Sequence, residues 1–158
     1  MSSLLQIQNL SVDFKSDLGQ TTALENISLE VNKGEIVAIV GESGSGKSVT
    51  SLSVLQLIPS PPVFYKNGQI VAHLDGADIN ILTTDRNTLR EIRGNKIAMI
   101  FQEPMTSLNP VMTCGKQVME AILIHKKISA REARQRNIKL IKKVKLHNTL
   151  KKFKTKSP

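Results

Sequence analysis

One stretch constrains this chain more than any other: Gly41-Glu42-Ser43-Gly44-Ser45-Gly46-Lys47-Ser48. Its spacing is G-x-x-x-x-G-K-[ST], and that spacing has a physical reason. Glycines at 41, 44 and 46 let the backbone curl until several N–H groups share one concavity. A helix starting near Lys47 adds its free N–H groups and the positive end of its dipole. Lys47 then supplies a mobile point charge for the outer phosphates of a triphosphate, and the Ser48 hydroxyl a ligand for Mg²⁺. The competing explanation is a glycine-rich turn beside a chance lysine. The flanks disfavour it. Glu35-Ile36-Val37-Ala38-Ile39-Val40 is a short, β-branched run of the kind buried on both faces of a parallel sheet. After the loop, Val49, Leu52, Val54, Leu55 and Ile58 suit a helix that ends before Pro59.

The 158 residues are one domain's worth of chain. Apolar residues make up 40%, but aromatics only 3%, so Ile, Leu and Val must do most of the packing. No apolar run reaches the roughly 18 residues of a membrane-spanning helix, and the N-terminus lacks the pattern of a secretion signal. The single cysteine, Cys114, excludes an internal disulfide and a Cys-based metal site, in keeping with a reducing compartment. The net charge of +9 is lopsided: residues 126–158 carry thirteen Lys/Arg against one Asp/Glu, while residues 1–125 are slightly acidic. Such asymmetry raises nucleic acid or an anionic surface as partners.

In chain order, Leu4 to Phe14 alternates loosely and predicts an opening strand, with Ala23 to Val31 as the next. Phe14 is either the last core residue of its strand or a ring for stacking on a base. Gln69 to Leu74 predicts a strand ended by Asp75-Gly76. Asp75 and Asp78 fit no metal-ligand spacing and read as solvated turn carboxylates. Thr84 or Asp85 caps a short helix through Ile92. Lys96 to Phe101 predicts a second buried strand, ending at Gln102. A polar residue at that end of a core strand lies at the ligand crevice, so Gln102 either touches Mg²⁺ or water there or merely caps its strand. Glu103 to Pro110 follows as a loop bracketed by prolines. Thr113 opens a helix, and Ser129-Ala130-Arg131-Glu132 is a capping box for another that runs to about Leu146. That last helix is basic and amphipathic, a pattern of solvated faces and of membrane or partner-binding helices.

Together these residues resemble the nucleotide-binding subunits of ABC transporters, from Leu4 to about Lys145. Gly41 to Ser48 is similar to the Walker A wording of the peptide-importer branch (oligopeptide, dipeptide and nickel importers of bacteria). Ile100-Phe101-Gln102-Glu103-Pro104-Met105-Thr106-Ser107-Leu108-Asn109-Pro110 resembles its Q-loop, and Arg90-Glu91-Ile92-Arg93-Gly94 is similar too. The resemblance implies an α/β fold: a P-loop NTPase core of ABC type, with antiparallel N-terminal strands, an incomplete parallel sheet and the start of a helical subdomain. It implies a partial ATPase core over 1–110, helical subdomain over 111–146 and a loose basic tail over 147–158. It implies ATP and Mg²⁺ as cofactors, bound by Gly41, Glu42, Ser43, Gly44, Ser45, Gly46, Lys47, Ser48 and Val49, with Phe14 stacking on adenine. Ser48 and Gln102 become metal ligands, and Gln102 the residue that links Mg²⁺ to the permease.

The implied partners are transmembrane permease subunits, a second ABC ATPase subunit (in a homo- or heterodimer) and, indirectly, a solute-binding protein. The implied location is the cytoplasmic face of the cell membrane, and no nucleic-acid partner is expected. The family's Leu-Ser-Gly-Gly-Gln signature, its Walker B Asp-Glu pair and its switch histidine have no counterpart in these residues. The sequence therefore resembles the front portion of such a domain. It predicts transport-coupled ATPase ancestry, with weak or no ATP binding and no turnover by this chain alone. A docking or interfering fragment, and a basic nucleic-acid-binding module, are the alternative functions.

Overall fold

The computed structural model describes residues 2–17, 19–102 and 108–144, in two units, Met1–Ala98 and Met99–Pro158. The first unit is built on an antiparallel sheet of four strands, β1 (Ser3–Ser16), β2 (Gly19–Asn32), β3 (Val63–Leu74) and β4 (Ala77–Asn80), in the order β2-β1-β3-β4. Its helices are α1 (Lys47–Ser53) and α2 (Arg86–Ile92).

The loose alternation of β1 has a structural cause. Ile7, Leu10 and Val12 are all buried, although a strict period of two would put Ile7 and Leu10 on opposite faces. The registers with β2 and β3 both shift between residues 7 and 11, and Asn9 takes φ 50°, so one extra residue is inserted there. That bulge changes the parity of the strand and returns Leu10 to the core side. Opposite it, Gly68 (φ 92°) allows the two backbones to touch: a Cβ at this position would lie 2.5 Å from Asn9 O. Leu24, Val63, Ile70 and Ala72 complete the sheet's buried face, with Leu55, Ile81, Leu89 and Ile92 covering it.

Asp75-Gly76, which the sequence reading treats as a strand end, is the two-residue turn of a hairpin. Both residues have positive φ (52° and 82°), and Leu74 pairs with Ala77 to start β4. Asp75 binds Lys96 at 2.5 Å, and Asp78 binds His73 at 2.6 Å. Asp85 caps α2, accepting from Asn87 and Thr88 N–H.

Three expectations need correction. Glu35 to Val40 is not a strand; Ile36 is 97% exposed and Val40 90%. Lys96 to Phe101 is not one either: only a single parallel bridge, Arg93 to Ile97, forms there, and Ile100 is 95% exposed. A buried parallel strand exists only between hydrogen-bonding neighbours, and among the described residues no ladder extends to either run. Third, α1 stops at Ser53 rather than Ile58. Gln56 adopts φ 47°, with Leu57 N–H bonded to Leu52 O (3.0 Å) and Gln56 N–H to Ser53 O (3.0 Å). This is a Schellman stop with glutamine in the left-handed position usually held by glycine.

The second unit contains α3 (Cys114–His125) and α4 (Ala130–Lys143). Thr113 caps α3 through Lys116 N–H, and Ser129 caps α4 through Glu132 N–H. Only half of the capping box forms, because the Glu132 carboxylate binds Arg136 at 2.8 Å instead. Ala133, Asn137 and Ile141, one turn apart on α4, are buried, and Asn137 Nδ2 donates to Gly115 O at 2.7 Å. The expected end of this helix at Leu146, the tail 147–158 and loop residues 103–107 lie outside the described residues. Among the described residues, no helix is long and apolar enough to cross a membrane.

Candidate functional site

The loop 41–48 leads directly into α1. Gly44 and Gly46 take left-handed φ values of 83° and 86°, which glycine adopts without the steric penalty of a side chain. Gly46 is also fixed by contact. A Cβ there would stand 2.6 Å from Leu24 Cδ2 and 3.0 Å from Ala23 O, so the loop is seated against β2. At Gly41 a Cβ would meet Ser45 Oγ at 2.7 Å.

The first helical bond runs from Thr50 N–H to Gly46 O at 2.8 Å. Ahead of it, among the described residues, no backbone bond takes the N–H groups of Gly46, Lys47, Ser48 or Val49, and α1 has no side-chain cap. An N-terminus left open in this way needs an outside acceptor. Lys47 lies back over the loop. Its Nζ donates to Gly41 O (2.8 Å), Glu42 O (2.5 Å) and Ser45 Oγ (3.2 Å). Among the described residues the ammonium binds only neutral oxygens, which leaves its positive charge for an anion. Ser43 and Ser48 are exposed and Val49 half-buried.

The buried face of α1 differs from the apolar stripe read in the sequence: Thr50 and Ser53 are buried, with Thr50 Oγ1 bonded to Gly46 O at 3.0 Å. Two supports escape motif reading. Leu24, on β2, sets how far Gly46 can approach. Arg93, beyond α2, donates from Nε to Leu55 O (2.8 Å) and from Nη2 to Gln56 O (2.6 Å), tying down the stop of α1. Tyr65 stands near: burial pushes its phenol above the ordinary range, opposed by the nearby Ser53 hydroxyl and the charge of Arg93. No local sequence signal marks Leu24; for Arg93 the only hint is its place in the Arg90–Gly94 segment.

Phe14 is half-buried near the end of β1, paired with Thr21 and Val63. Its neighbour Asp13 is buried, and the Thr22 hydroxyl holds that carboxyl below its ordinary value; burial opposes this, and Gln20 assists from 2.6 Å. Gln102 belongs to the second unit, exposed at a bend, and the strand meant to deliver it to a crevice has not formed. The structure thus gathers residues 41–49 in one loop, places Phe14 elsewhere in the same unit and Gln102 in the other.

An antiparallel sheet joined to a glycine loop and an uncapped helix defines a phosphate-loop α/β protein. The sequence model of the ABC transporter family matches residues 24–158, and the chain belongs to that family. It is 43% identical over 144 residues to the oligopeptide transport ATP-binding protein OppD of Bacillus subtilis, covering 91% of this chain and 39% of OppD. It is 46% identical over 143 residues to the probable D,D-dipeptide transport ATP-binding protein DdpD of Escherichia coli, covering 90% of this chain and 42% of DdpD. Among solved structures it is similar to the dimeric post-hydrolysis state of the ATP-binding cassette MJ0796 bound to ADP and Pi. The TM-score is 0.67 at 25% identity, over 88% of this chain and 56% of that one. The chain therefore spans about two fifths of the length of these curated relatives.

Proposed function

We propose that this chain is the ATP-binding portion of an energy-coupling subunit of a peptide-type ABC importer. The observation that carries the reading is the open loop: among the described residues, a lysine ammonium paired with no acid, beside backbone N–H groups with no backbone acceptor. Both are what a phosphate chain requires. Residues 41–49 would hold the phosphates, with Lys47 on the outer ones. Ser48 and Gln102 would hold Mg²⁺, and Phe14 would lie on the adenine. Bound Mg²⁺ would neutralise phosphate charge and fix the phosphates' geometry. Residues 1–110 would form the ATPase-core portion, 111–146 the helical subdomain and 147–158 a basic tail. Permease subunits and a second ATPase subunit would be its partners at the inner face of the membrane, with Gln102 in the coupling loop.

Water attack also needs a group that orients the nucleophile. Glu42 and Glu103 are this chain's nearest carboxylates in sequence; Glu42 belongs to the glycine loop, Glu103 lies outside the described residues, and we assign neither that role, so this chain alone gives no turnover. The name of OppD and the 46% identity to DdpD support the peptide branch. Titration with a fluorescent ATP analogue and Mg²⁺ tests the binding. Saturable binding weakened at least about tenfold by Lys47→Ala is expected, since a charged hydrogen bond is worth about 1.5–3 kcal/mol. Equal binding by a folded Lys47→Ala protein would refute the assignment. Phosphate release that Lys47→Ala abolishes would refute the absence of turnover.

A further inference from the structure

Between α3 and α4 runs an open groove of about 440 Å³. Ile122 and Leu140 give it an apolar lining, and Lys126, Arg136, Lys139 and Lys143 make the rest of the lining cationic. We propose that this groove docks the chain onto an anionic phospholipid surface, with headgroups among the four cations and acyl chains against the apolar residues.

Charge complementarity carries the choice of occupant. Among the described residues no acid lines the groove; Glu132, which binds Arg136 from within α4, is not part of the lining. Among the described residues, no ion pair involves Lys126, Lys139 or Lys143. The apolar character also extends past the groove. Val144, one turn after Leu140, is exposed, and Leu140 is 49% exposed within it. A cationic helix with a segregated apolar face and low overall hydrophobicity is the pattern that lies flat in a headgroup layer. Lys and Arg suit that layer because their stems cover apolar surface while their charges stay outside. Nucleic acid is a poorer match: among the described residues no aromatic side chain lines the groove for stacking, and Ile122 and Leu140 offer nothing to a phosphodiester backbone. A purely acidic peptide would answer the cations but give Ile122 and Leu140 no apolar partner.

The test is cosedimentation of the full chain with two kinds of vesicle: phosphatidylcholine alone, and phosphatidylcholine with phosphatidylglycerol. Binding to the anionic vesicles only, falling as salt rises, is expected. Each cation near such a surface contributes about fivefold in affinity. The double variant Lys139→Gln/Lys143→Gln should therefore bind about 25-fold more weakly. Leu140→Ser should weaken binding at unchanged charge, its exposure leaving the fold intact by circular dichroism. Lys15→Gln/Lys33→Gln removes the same charge from exposed residues that do not line the groove and should cost less than fivefold. Equal losses from the two double variants would overturn the proposal, as would binding to neutral vesicles or no binding at all. Displacement of the chain from anionic vesicles by a duplex oligonucleotide or a Glu-rich peptide would overturn it too.

Discussion

Replacing Gly46 by alanine separates two demands that the loop makes on one residue. The first is conformational: at φ 86° an L-residue meets a penalty of about 1–2 kcal/mol. Alanine also restricts the unfolded chain, which returns about 0.4–1 kcal/mol. The second demand is space. The new Cβ would lie 2.6 Å from Leu24 Cδ2 and 3.0 Å from Ala23 O, and Leu24 is only 3% exposed, so it has no room to step aside. Overpacking of this kind costs about 1–3 kcal/mol. Gly44 is the internal control. It has nearly the same φ, 83°, but nothing lies within 4 Å of its added Cβ. Gly44→Ala should therefore cost only about 1 kcal/mol, and Gly46→Ala at least about 1 kcal/mol more.

Urea denaturation followed by far-UV circular dichroism reads both values. Leu24→Ala alone should destabilise by about 2–5 kcal/mol. In the Gly46→Ala background it should cost less, with a favourable coupling of about 1 kcal/mol, because the cavity receives the new methyl group. Equal costs for the two glycine variants, or a strictly additive cycle, would show that Gly46 is not seated on Leu24.

Gly68→Ala should be more damaging than either, about 3 kcal/mol or more, because its Cβ would meet backbone atoms of Gln8 and Asn9 that cannot rotate away; the same denaturation assay checks it. Asn137→Ala should cost about 0.5–1.5 kcal/mol by removing the bond that ties α4 to Gly115 O of α3, with loss of helix signal from α3 and α4 at lower urea. At Asp85, bonds from the Thr88 hydroxyl and from Thr88 and Asn87 N–H hold the carboxyl below its ordinary value of 3.8. The unfolded chain therefore takes up that proton first. The contribution to α2 is complete above pH 3.8 and is lost as pH falls through the lower folded value. Asp85→Asn should flatten that acid limb of the stability curve, and an unchanged limb would contradict the sign.

The glycine loop, Lys47 and Ser48, the caps Asp85, Thr113 and Ser129, strand β1 and the second half of β3 were legible in the chain because each is a local matter, whereas Val63 to Gly68 of β3 was not read as strand. A glycine's φ, a hydroxyl within reach of an N–H and alternation along a strand depend on residues a few positions apart. Asp75-Gly76 carried its hairpin in the same local way, although the strand after it is short. The burial of residues 36–40 and 96–101 could not be read so. Their composition suits a buried strand, but a strand is made by its neighbours, and the sheet among the described residues does not reach them. The stop of α1 at Gln56 rests on Arg93, 37 residues away, and the seat of Gly46 on Leu24. The sequence by itself determined where the glycine loop lies and where helices begin. Only the tertiary structure decided which apolar runs are covered, because burial belongs to pairs of surfaces brought together from distant parts of the chain.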